Sequence, residues 1–478
     1  MTYISITFYL FVLAALLLYY ILPLKCRWLV LLGGSIFFYW KVMEAGMAMA
    51  VILATIMAAY GMGLLLERVR NKGILAGAVL LMILPWFCIK NGNYVLEILL
   101  HRDGVEWIVP VGISFYTLQM ISYLADVYMG RVAAQKNPAK FILYGMFFPQ
   151  IVQGPIPRYD RLADQLYSGH RFDERMVVGG FYRILWGFFL KLMIADRAAV
   201  VVNEIFDNHY QYVGGYVLVA GVLYSIELYA DFAACISISK GVANLFGIRL
   251  ADNFNHPYLA VSVKDFWHRW HMSLSEWLKD YIYIPLGGSR KGRVRTYINL
   301  ILTFIVSGIW HGAGLRFVVW GLMHAAYQIV GRLTQNIQRK AAKLLGLEEA
   351  AGVKLWIRRI WTFLCVMTAW IIFRAENLTT GIQMIGSMLR IRNLWIFTND
   401  ALLTLGLDWK EWVVLAVSVL ILFVVSIKQE RGVSFSNMIF RQPVYVRWAL
   451  YLIAIFGIMT YGVYGMGYDS QAFIYGGF

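Results

Sequence analysis

Apolar segments of about twenty residues recur along the whole chain, and this feature most constrains what it can fold into. A helix needs roughly 20 predominantly apolar residues to cross the hydrocarbon core of a bilayer. Of the 478 residues, 60% are hydrophobic and only 15% are charged, and the mean hydropathy is +0.62. A water-soluble domain could not bury so much apolar surface. The sequence therefore predicts an all-α polytopic membrane protein.

We predict about twelve transmembrane helices, roughly 11–13, because a hydropathy pattern does not separate short spans from re-entrant segments. The clearest apolar windows are 3–22, 46–66, 73–88, 213–232, 298–310, 317–330, 412–426 and 448–464. Weaker windows are 28–40, 105–124, 176–194 and 355–373. The first window is long, and its nearest lysine follows it, so we expect it to be retained and not cleaved as a signal peptide.

The positive charge lies in short connectors between these windows. A formal net charge of +16 would suit a partner with many phosphates, such as nucleic acid. However, the basic residues cluster at 25–27, 68–72, 131–140, 290–295, 332–359 and 428–441. Placing all of these connectors in the cytoplasm gives a consistent alternation with both termini outside. We therefore interpret the charge as orienting the protein in the membrane, and we predict no nucleic-acid partner.

The four cysteines do not suggest a metal site. Cys26, Cys88, Cys235 and Cys365 lie in or beside apolar segments, without CxxC or Cys/His ligand spacing. We expect them to be small buried hydrophobic residues. The chain shows no evident repeat or low-complexity linker, so the simplest organisation is one integral membrane domain, residues 1–478.

Proline and glycine interrupt one apolar segment, "LYGMFFPQIVQGPIPRY", residues 143–159. Pro149, Gly154, Pro155 and Pro157 exclude a straight helix there. Irregular backbone at membrane depth is tolerated only when it is buried in protein or lines a wet cavity. The segment is therefore either a re-entrant element beside a pathway or an ordinary cytoplasmic loop with apolar anchors.

The stretch "KDFWHRWHMSLSEWLKDYIYIPLGG", residues 264–288, has the pattern of an amphipathic helix. Its pattern predicts a helix lying in the membrane interface with tryptophans at headgroup level, ended by Pro285, Gly287 and Gly288. One helical face would carry Trp267, Trp270, Leu274, Trp277, Leu278 and Tyr281, and the other His268, Arg269, Met272, Ser275, Glu276 and Lys279.

Two histidines lie within this stretch. His268 and His271 have i, i+3 spacing and could share a metal, but no further ligand stands at the expected offset, so we predict no metal site. We interpret His268 as a solvated residue of the polar face. His271 lies on the boundary between the two faces, where a hydrogen-bonded structural role and a site role are both open.

A third histidine follows an apolar run directly, in "IVSGIWHGAG", residues 305–314. An ionisable group there is expensive and needs a reason. Gly308, Gly312 and Gly314 would let backbones approach closely or let the helix break. His311 could act as a general base, bridge helices by a hydrogen bond, or relay protons in a transporter. The residues alone leave these alternatives open.

Several blocks resemble the membrane-bound O-acyltransferase (MBOAT) superfamily. They are "FWHRWHMSLSEWLKDYIYIPLGGSRKG" (266–292), "NLILTFIVSGIWHGAGLRFVVWGLMHAAY" (299–327), and segments 110–131, 147–158 and 243–271. The resemblance is closest to the bacterial branch that acts in alginate O-acetylation, with a related branch acting in teichoic acid D-alanylation. Chain length and the ending "QAFIYGGF", residues 471–478, look more like the alginate type.

The resemblance implies a many-helix body with a thin centre, where a cytoplasmic funnel for the acyl donor meets an opposite funnel for the acceptor. It places the MBOAT-like catalytic core at residues 110–327. The family's "WHG" histidine falls on His311, implied to be the general base, and its "RWH" histidine falls on His271, implied to support catalysis. The implied location is the bacterial plasma (inner) membrane, where the protein contacts membrane lipids.

The resemblance also implies the substrates. Acetyl-CoA would be the acyl donor, with no bound cofactor, and an exported or cell-wall polysaccharide would be the acceptor. An extracytoplasmic acetyltransferase would be a partner protein that completes transfer. Basic residues could steer the CoA phosphates, although anchoring at the interface is the alternative. These residues are Lys279, Arg290, Lys291 and Arg293.

This sequence departs from the family pattern at two places. The family commonly has arginine where this chain has His268, which argues against a role for that position. Its "DFSGYSD" pattern appears here as "DFAACIS", residues 231–237. The small residues are kept, whereas the tyrosine and the second acid are lost, a difference that bears on the acceptor or partner more than on the chemistry. D-alanyl transfer to teichoic acid and a proton-coupled transporter or flippase remain alternative functions.

Overall fold

The structure, a computed structural model, describes residues 1–44, 46–105, 107–345, 350–390 and 392–464. All regular secondary structure in these ranges is helical, which confirms the predicted all-α class. The described residues form two compact units, one of residues 1–188 and 234–252 and the other of residues 189–233 and 253–464. The C-terminal ending, residues 471–478, lies outside the described part of the chain.

The first unit is built around a buried central helix, α5. Nearly every residue of α5 is buried, so its neighbours surround it on all sides. Asn137 begins α6 by accepting a hydrogen bond from the Lys140 amide at 3.2 Å, with Pro138 at the first helical position. The helices are α1 (Ile6–Ile21), α2 (Arg27–Met43), α3 (Gly46–Arg68), α4 (Lys72–Tyr94), α5 (Ile113–Tyr128), α6 (Pro138–Met146), α7 (Tyr159–Ser168) and α8 (Glu174–Phe188), with a π-helical turn at Val95–Leu99.

The proline- and glycine-rich segment, residues 143–159, breaks its helix as predicted. Most residues between α6 and α7 are buried, so the segment is not an ordinary exposed loop. The Phe148 amide donates to the Ser35 hydroxyl at 3.1 Å, and the Phe148 carbonyl accepts from the Tyr3 hydroxyl at 2.8 Å. Side chains thus supply hydrogen-bond partners to backbone groups that have no helical partner within this apolar body. A position beside a substrate pathway stays a prediction.

The second unit contains the predicted site residues. Its long helix α10 also carries residues of the first unit. The helices are α9 (Asp196–Asp207), α10 (Gly215–Leu245), α11 (Val263–Arg269), α12 (Met272–Leu278), α13 (Arg293–His311), α14 (Leu315–Leu333), α15 (Gln335–Leu344), α16 (Ala351–Arg374), α17 (Leu378–Met388), α18 (Trp409–Glu430), α19 (Phe435–Phe440) and α20 (Val444–Tyr461), with π-helical turns at Phe189–Ala195 and Lys279–Tyr283.

Every apolar window predicted from the sequence overlaps a helix. Within the described ranges, six helices are long and apolar enough to cross a membrane, which confirms a multi-pass protein. They are Gly46–Arg68, Lys72–Glu97, Gly215–Leu245, Gly352–Arg374, Trp409–Glu430 and Val444–Tyr461. The shorter α1 and the pair α13 and α14 fall outside this set, so the count of about twelve stays a prediction. Among the cysteines, Cys235 is buried as expected, whereas Cys88 is exposed on α4.

Helices α13 and α14 form a tightly packed antiparallel hairpin. A Cβ atom at Gly308 would lie 2.3 Å from the carbonyl oxygen of Phe317, and one at Gly321 would lie 2.2 Å from that of Phe304. Both distances are far below van der Waals contact, so only glycine permits this approach. The predicted close backbone approach at Gly308 is confirmed.

We expect Gly308→Ala and Gly321→Ala to destabilise the protein by about 1–3 kcal/mol each, because the added methyl group must push two helix backbones apart. Gly331→Ala is the matched control on α14, since no atom of the described residues lies within 4 Å of the place that its Cβ would take. That variant should be neutral or slightly stabilising, as alanine favours helix more than glycine. The thermal midpoint of the detergent-solubilised protein measures both effects. Equal midpoints for all three variants would contradict the close contact.

Candidate active site

A sharp break, and not one continuous helix, occupies residues 264–288. Helix α11 ends at Arg269, and α12 starts at Met272. Between them His271 adopts the left-handed conformation with φ of 44°, which non-glycine residues rarely adopt. The predicted single interfacial helix is therefore wrong, although its expected stop before Pro285 agrees with the end of the π-helical turn.

The tryptophans of this segment face protein, not the membrane interface. Trp267, Trp270 and Trp277 are 8%, 1% and 4% exposed. Trp270 stacks on Phe266 with a centroid distance of 5.4 Å and contacts Trp370 of α16 at 5.2 Å. The amphipathic pattern was correct, but its apolar face is covered by other helices of the same unit. Hydropathy cannot distinguish burial against protein from burial in lipid.

Asn253 fixes the conformation of the turn at His271. Its backbone carbonyl accepts from the Met272 amide at 2.9 Å. Its side-chain Oδ1 accepts from the amide and hydroxyl of Ser273 at 3.1 and 2.8 Å and lies 3.2 Å from His271 Nδ1. Because the Ser273 amide can only donate, Oδ1 is an acceptor, and His271 must carry its proton on Nδ1. The Nε2 atom then carries the lone pair.

An ion-paired arginine anchors the other end of this turn. Arg269 donates to Asp265 at 2.9 Å and to Glu430 at 2.7 Å. The hydrogen bond to the Glu430 carboxylate is the main reason that the pKa of Arg269 lies above its ordinary value. The Arg269 carbonyl also accepts from the Asn255 amide at 2.9 Å. The residues flanking His271 are thus held on both sides.

His311 is the last residue of α13 and lies in an aromatic enclosure. It is 3% exposed, and its ring lies 4.8 Å from Trp310, 4.9 Å from Trp320 and 5.3 Å from Phe373, all as edge contacts. The helix ends at Gly312, as the sequence allowed. Trp310 also contacts the ring of His271 at 6.0 Å. The structure therefore brings His271 and His311 into contact with the same tryptophan.

His268 does not join the other two histidines. Its side chain is exposed on α11, whereas His271 is fully buried, so the two cannot share a metal ion. This agrees with the interpretation of His268 as a residue of the polar face.

The four basic residues predicted to steer phosphates are all exposed, and one of the four lines a cavity. Arg293, at the start of α13, lines a polar cavity of about 520 Å³ with Arg332 from the end of α14. Lys279, Arg290 and Lys291 do not line it. The remaining lining residues are Ser289, Gly292, Thr296, Tyr297, Leu333, Gln335 and Asn336.

Several polar residues of this unit were not predicted from the sequence. No sequence pattern indicates Asn253, because its contacts depend on the turn at His271. Residues 264–288 were expected to form one helix without that turn. Lys191 forms buried ion pairs with Asp231 at 2.7 Å and Asp196 at 2.8 Å. His324 is fully buried on α14. Lys191 and His324 lie inside apolar windows, so the cost of an intramembrane ionisable group could have indicated both.

Comparison with known proteins identifies the family. Residues 131–373 match the membrane-bound O-acyltransferase (MBOAT) family. The chain is 35% identical to the "Probable alginate O-acetylase AlgI" of Azotobacter vinelandii over 78% of this chain and 74% of that protein. It is 30% identical to the "Peptidoglycan O-acetyltransferase" of Helicobacter pylori over 77% and 74%, respectively. It is 30% identical to the "Teichoic acid D-alanyltransferase" of Bacillus subtilis over 54% and 68%.

These matches agree with the blocks from which the resemblance was inferred. Together with the six apolar helices, they confirm a multi-pass membrane enzyme with O-acyltransferase activity, and they agree with the predicted inner-membrane location. The chain belongs to the membrane-bound O-acyltransferase family.

Proposed function

We propose that this enzyme moves an acetyl group from cytoplasmic acetyl-CoA across the membrane for O-acetylation of an exported or cell-wall polysaccharide. The observation that carries the proposal is His311, a buried imidazole at the end of an apolar helix, within the family's "WHG" motif. Such a costly group is expected to have a function, and general-base chemistry suits a neutral imidazole.

The names of the relatives support acetyl transfer to a polysaccharide. One relative is named for alginate and another for peptidoglycan, two different polysaccharides, and each aligns with more than three quarters of this chain. D-alanyl transfer to teichoic acid is the second candidate, favoured by the Bacillus subtilis relative, whose alignment covers 54% of this chain. The acyl group on the product distinguishes the two candidates.

In the proposed reaction, the oxygen of an acceptor hydroxyl attacks the thioester carbonyl carbon. His311 takes the hydroxyl proton as the new C–O bond forms. The C–S bond then breaks, and the proton is returned to the leaving thiolate of CoA. Proton transfer of this kind contributes roughly 10²- to 10⁴-fold, and the alignment of donor and acceptor supplies much of the remainder.

His271 would support this step by accepting a hydrogen bond at Nε2. With its Nδ1 proton directed to Asn253, the ring presents only a lone pair at the other nitrogen. It can therefore orient a donor group of a substrate but cannot supply a proton in its neutral form. We assign His271 a positioning role next to the base.

The donor would approach from the basic end of α13. Arg293 begins this helix and His311 ends it, 18 residues later, so about 27 Å separates their backbones. CoA phosphates held near Arg293, with Lys279, Arg290 and Lys291 nearby in sequence, would require an extended pantetheine arm to reach the base. Helix N-termini and arginines both favour phosphate. In this orientation the basic connectors and the cavity at Arg293 face the cytoplasm.

The acceptor would approach from the opposite side of the membrane, together with an extracytoplasmic acetyltransferase as partner protein. The enzyme would need no bound cofactor, since acetyl-CoA is consumed as a substrate. Membrane lipids would surround the exposed apolar faces of its spans, such as those of α18 and α20.

His311→Ala should reduce acetyl transfer by at least about 100-fold, because the proton acceptor is removed. The measurement is the O-acetyl content of extracellular and wall glycans in producing cells, with membrane levels of the protein matched. His268→Ala is the control, since it removes an exposed histidine from the same unit and should retain activity. Normal acetylation by the His311 variant would reject the proposed base.

Asn253→Leu should lower the transfer rate about tenfold or more, because His271 loses the acceptor that fixes its tautomer and the turn loses its support. Thr362→Val is a suitable control, since Thr362 is also buried but its hydroxyl bonds only its own helix. Rates should be normalised to folded protein from size-exclusion chromatography. A purely structural role for Asn253 would lower the folded amount and leave the rate per folded molecule unchanged.

Arg293→Gln and Arg332→Gln should raise the KM for acetyl-CoA several-fold with little change in kcat, because they weaken phosphate binding far from the reacting atoms. High salt should raise the wild-type KM as well and so reduce the difference between the wild type and the variants, since exposed charges are screened. Arg339→Gln, on the neighbouring α15 and outside the cavity, controls for the loss of surface charge. An unchanged KM in both cavity variants would favour the interface-anchoring alternative.

A further inference from the structure

A third buried histidine, His324, lies on α14 and has no role in the reaction described above. It is fully buried, and its Nδ1 accepts a hydrogen bond from the indole Nε1–H of Trp267 on α11 at 3.2 Å. An indole nitrogen can only donate, so Nδ1 must carry the lone pair. Neutral His324 therefore holds its proton on Nε2, which has no hydrogen-bond partner within the residues that the structure describes.

His324 is connected to His311 through a single tryptophan. Trp320 precedes His324 by one helical turn on α14, and the two rings meet edge to face with centroids 5.0 Å apart. The same Trp320 ring meets His311 edge to face at 4.9 Å. Trp320 also stacks on Trp370 of α16 at 5.7 Å and contacts Trp267 at 5.8 Å. The orientation of Trp320 is thus set partly by His324 and Trp267, and it forms one wall of the enclosure around His311.

The chemistry of this position argues against simple core filling. The rings around His324 belong to Phe266, Trp267, Phe304, Trp320, Tyr327 and Trp370. A phenylalanine would fill such an aromatic site without burying an unpaired N–H group, which is unfavourable in an apolar interior. An acceptor at Nδ1, however, fixes the Trp267 indole, which a phenylalanine could not do.

We propose that His324 is a positioning residue for acyl transfer, and that the Trp267–His324 hydrogen bond holds Trp320 in the orientation that aligns His311. This inference rests on the proposed function of His311 as general base. The hydrogen bond between Trp267 on α11 and His324 on α14 would then align His311. This contact is separate from the one between Asn253 and His271. Small displacements of a base reduce alignment with the reacting hydroxyl, so loss of this bond should lower kcat more than it changes KM.

Two amide substitutions distinguish the two nitrogens of His324. An asparagine places its amide oxygen near the position of Nδ1, so H324N retains an acceptor for Trp267. A glutamine places its amide near the position of Nε2, so H324Q loses that acceptor. W267F removes the donor of the same bond. Gln328→Leu is the matched control, because it removes a buried polar group one turn further along α14.

Acetyl transfer from labelled acetyl-CoA should be followed in inside-out membrane vesicles from producing cells, with each rate normalised to folded protein. We expect H324Q and W267F each to lower kcat about tenfold, with the KM for acetyl-CoA little changed. The double variant W267F/H324Q should be no slower than either single variant, since both remove one bond. H324N and Gln328→Leu should remain close to the wild type.

Three results would overturn the inference. Wild-type kcat per folded molecule in H324Q, with only the thermal midpoint lowered, would make the bond merely structural. Retained activity in H324Q with loss in H324N would mean that Nε2, and not the bond to Trp267, is the important atom. Additive losses of kcat in the double variant would mean that Trp267 and His324 act independently and not through their shared hydrogen bond. An inactive wild type would instead reject the proposed function, and this inference with it.

Discussion

The close contact between α13 and α14 is the constraint on which the candidate active site depends. Where Gly308 and Gly321 bring the two backbones together, the end of one helix lies beside the first turns of the other. His311 on α13 therefore meets Trp320 on α14, and Trp320 meets His324 one turn later. A bulkier residue at either glycine would separate the helices and open the enclosure around His311.

Polar groups inside an apolar body need partners from the protein itself, because water is not available to replace them. Asn253 supplies this partner to His271, Trp267 supplies it to His324, and two carboxylates supply it to Lys191. Each polar residue is consequently held in one orientation. Such fixed orientation is what general-base chemistry requires, since the proton acceptor must lie in line with the reacting hydroxyl.

Different observations support the family membership of the chain and the reaction proposed for it. Membership rests on the match over residues 131–373 and on relatives that are identical to this chain at about a third of the aligned positions. The acetyl donor and polysaccharide acceptor rest on the names of those relatives and on the chemistry of His311. The 19-residue length of α13 places Arg293 and His311 at opposite ends of one helix, which would suit the proposed donor, a molecule that is long and anionic at one end.

The sequence by itself determined the helical class, the family, the positions of the apolar helices and the break in residues 143–159. These features follow from local composition and from motifs that are contiguous in the chain. Only the tertiary structure decided that Trp267 and Trp270 face protein, that Asn253 sets the tautomer of His271, and that His324 connects to His311 through Trp320. The physical reason is that hydropathy measures the cost of exposing a residue to water, whereas a tautomer or a ring contact depends on which atoms of distant segments meet.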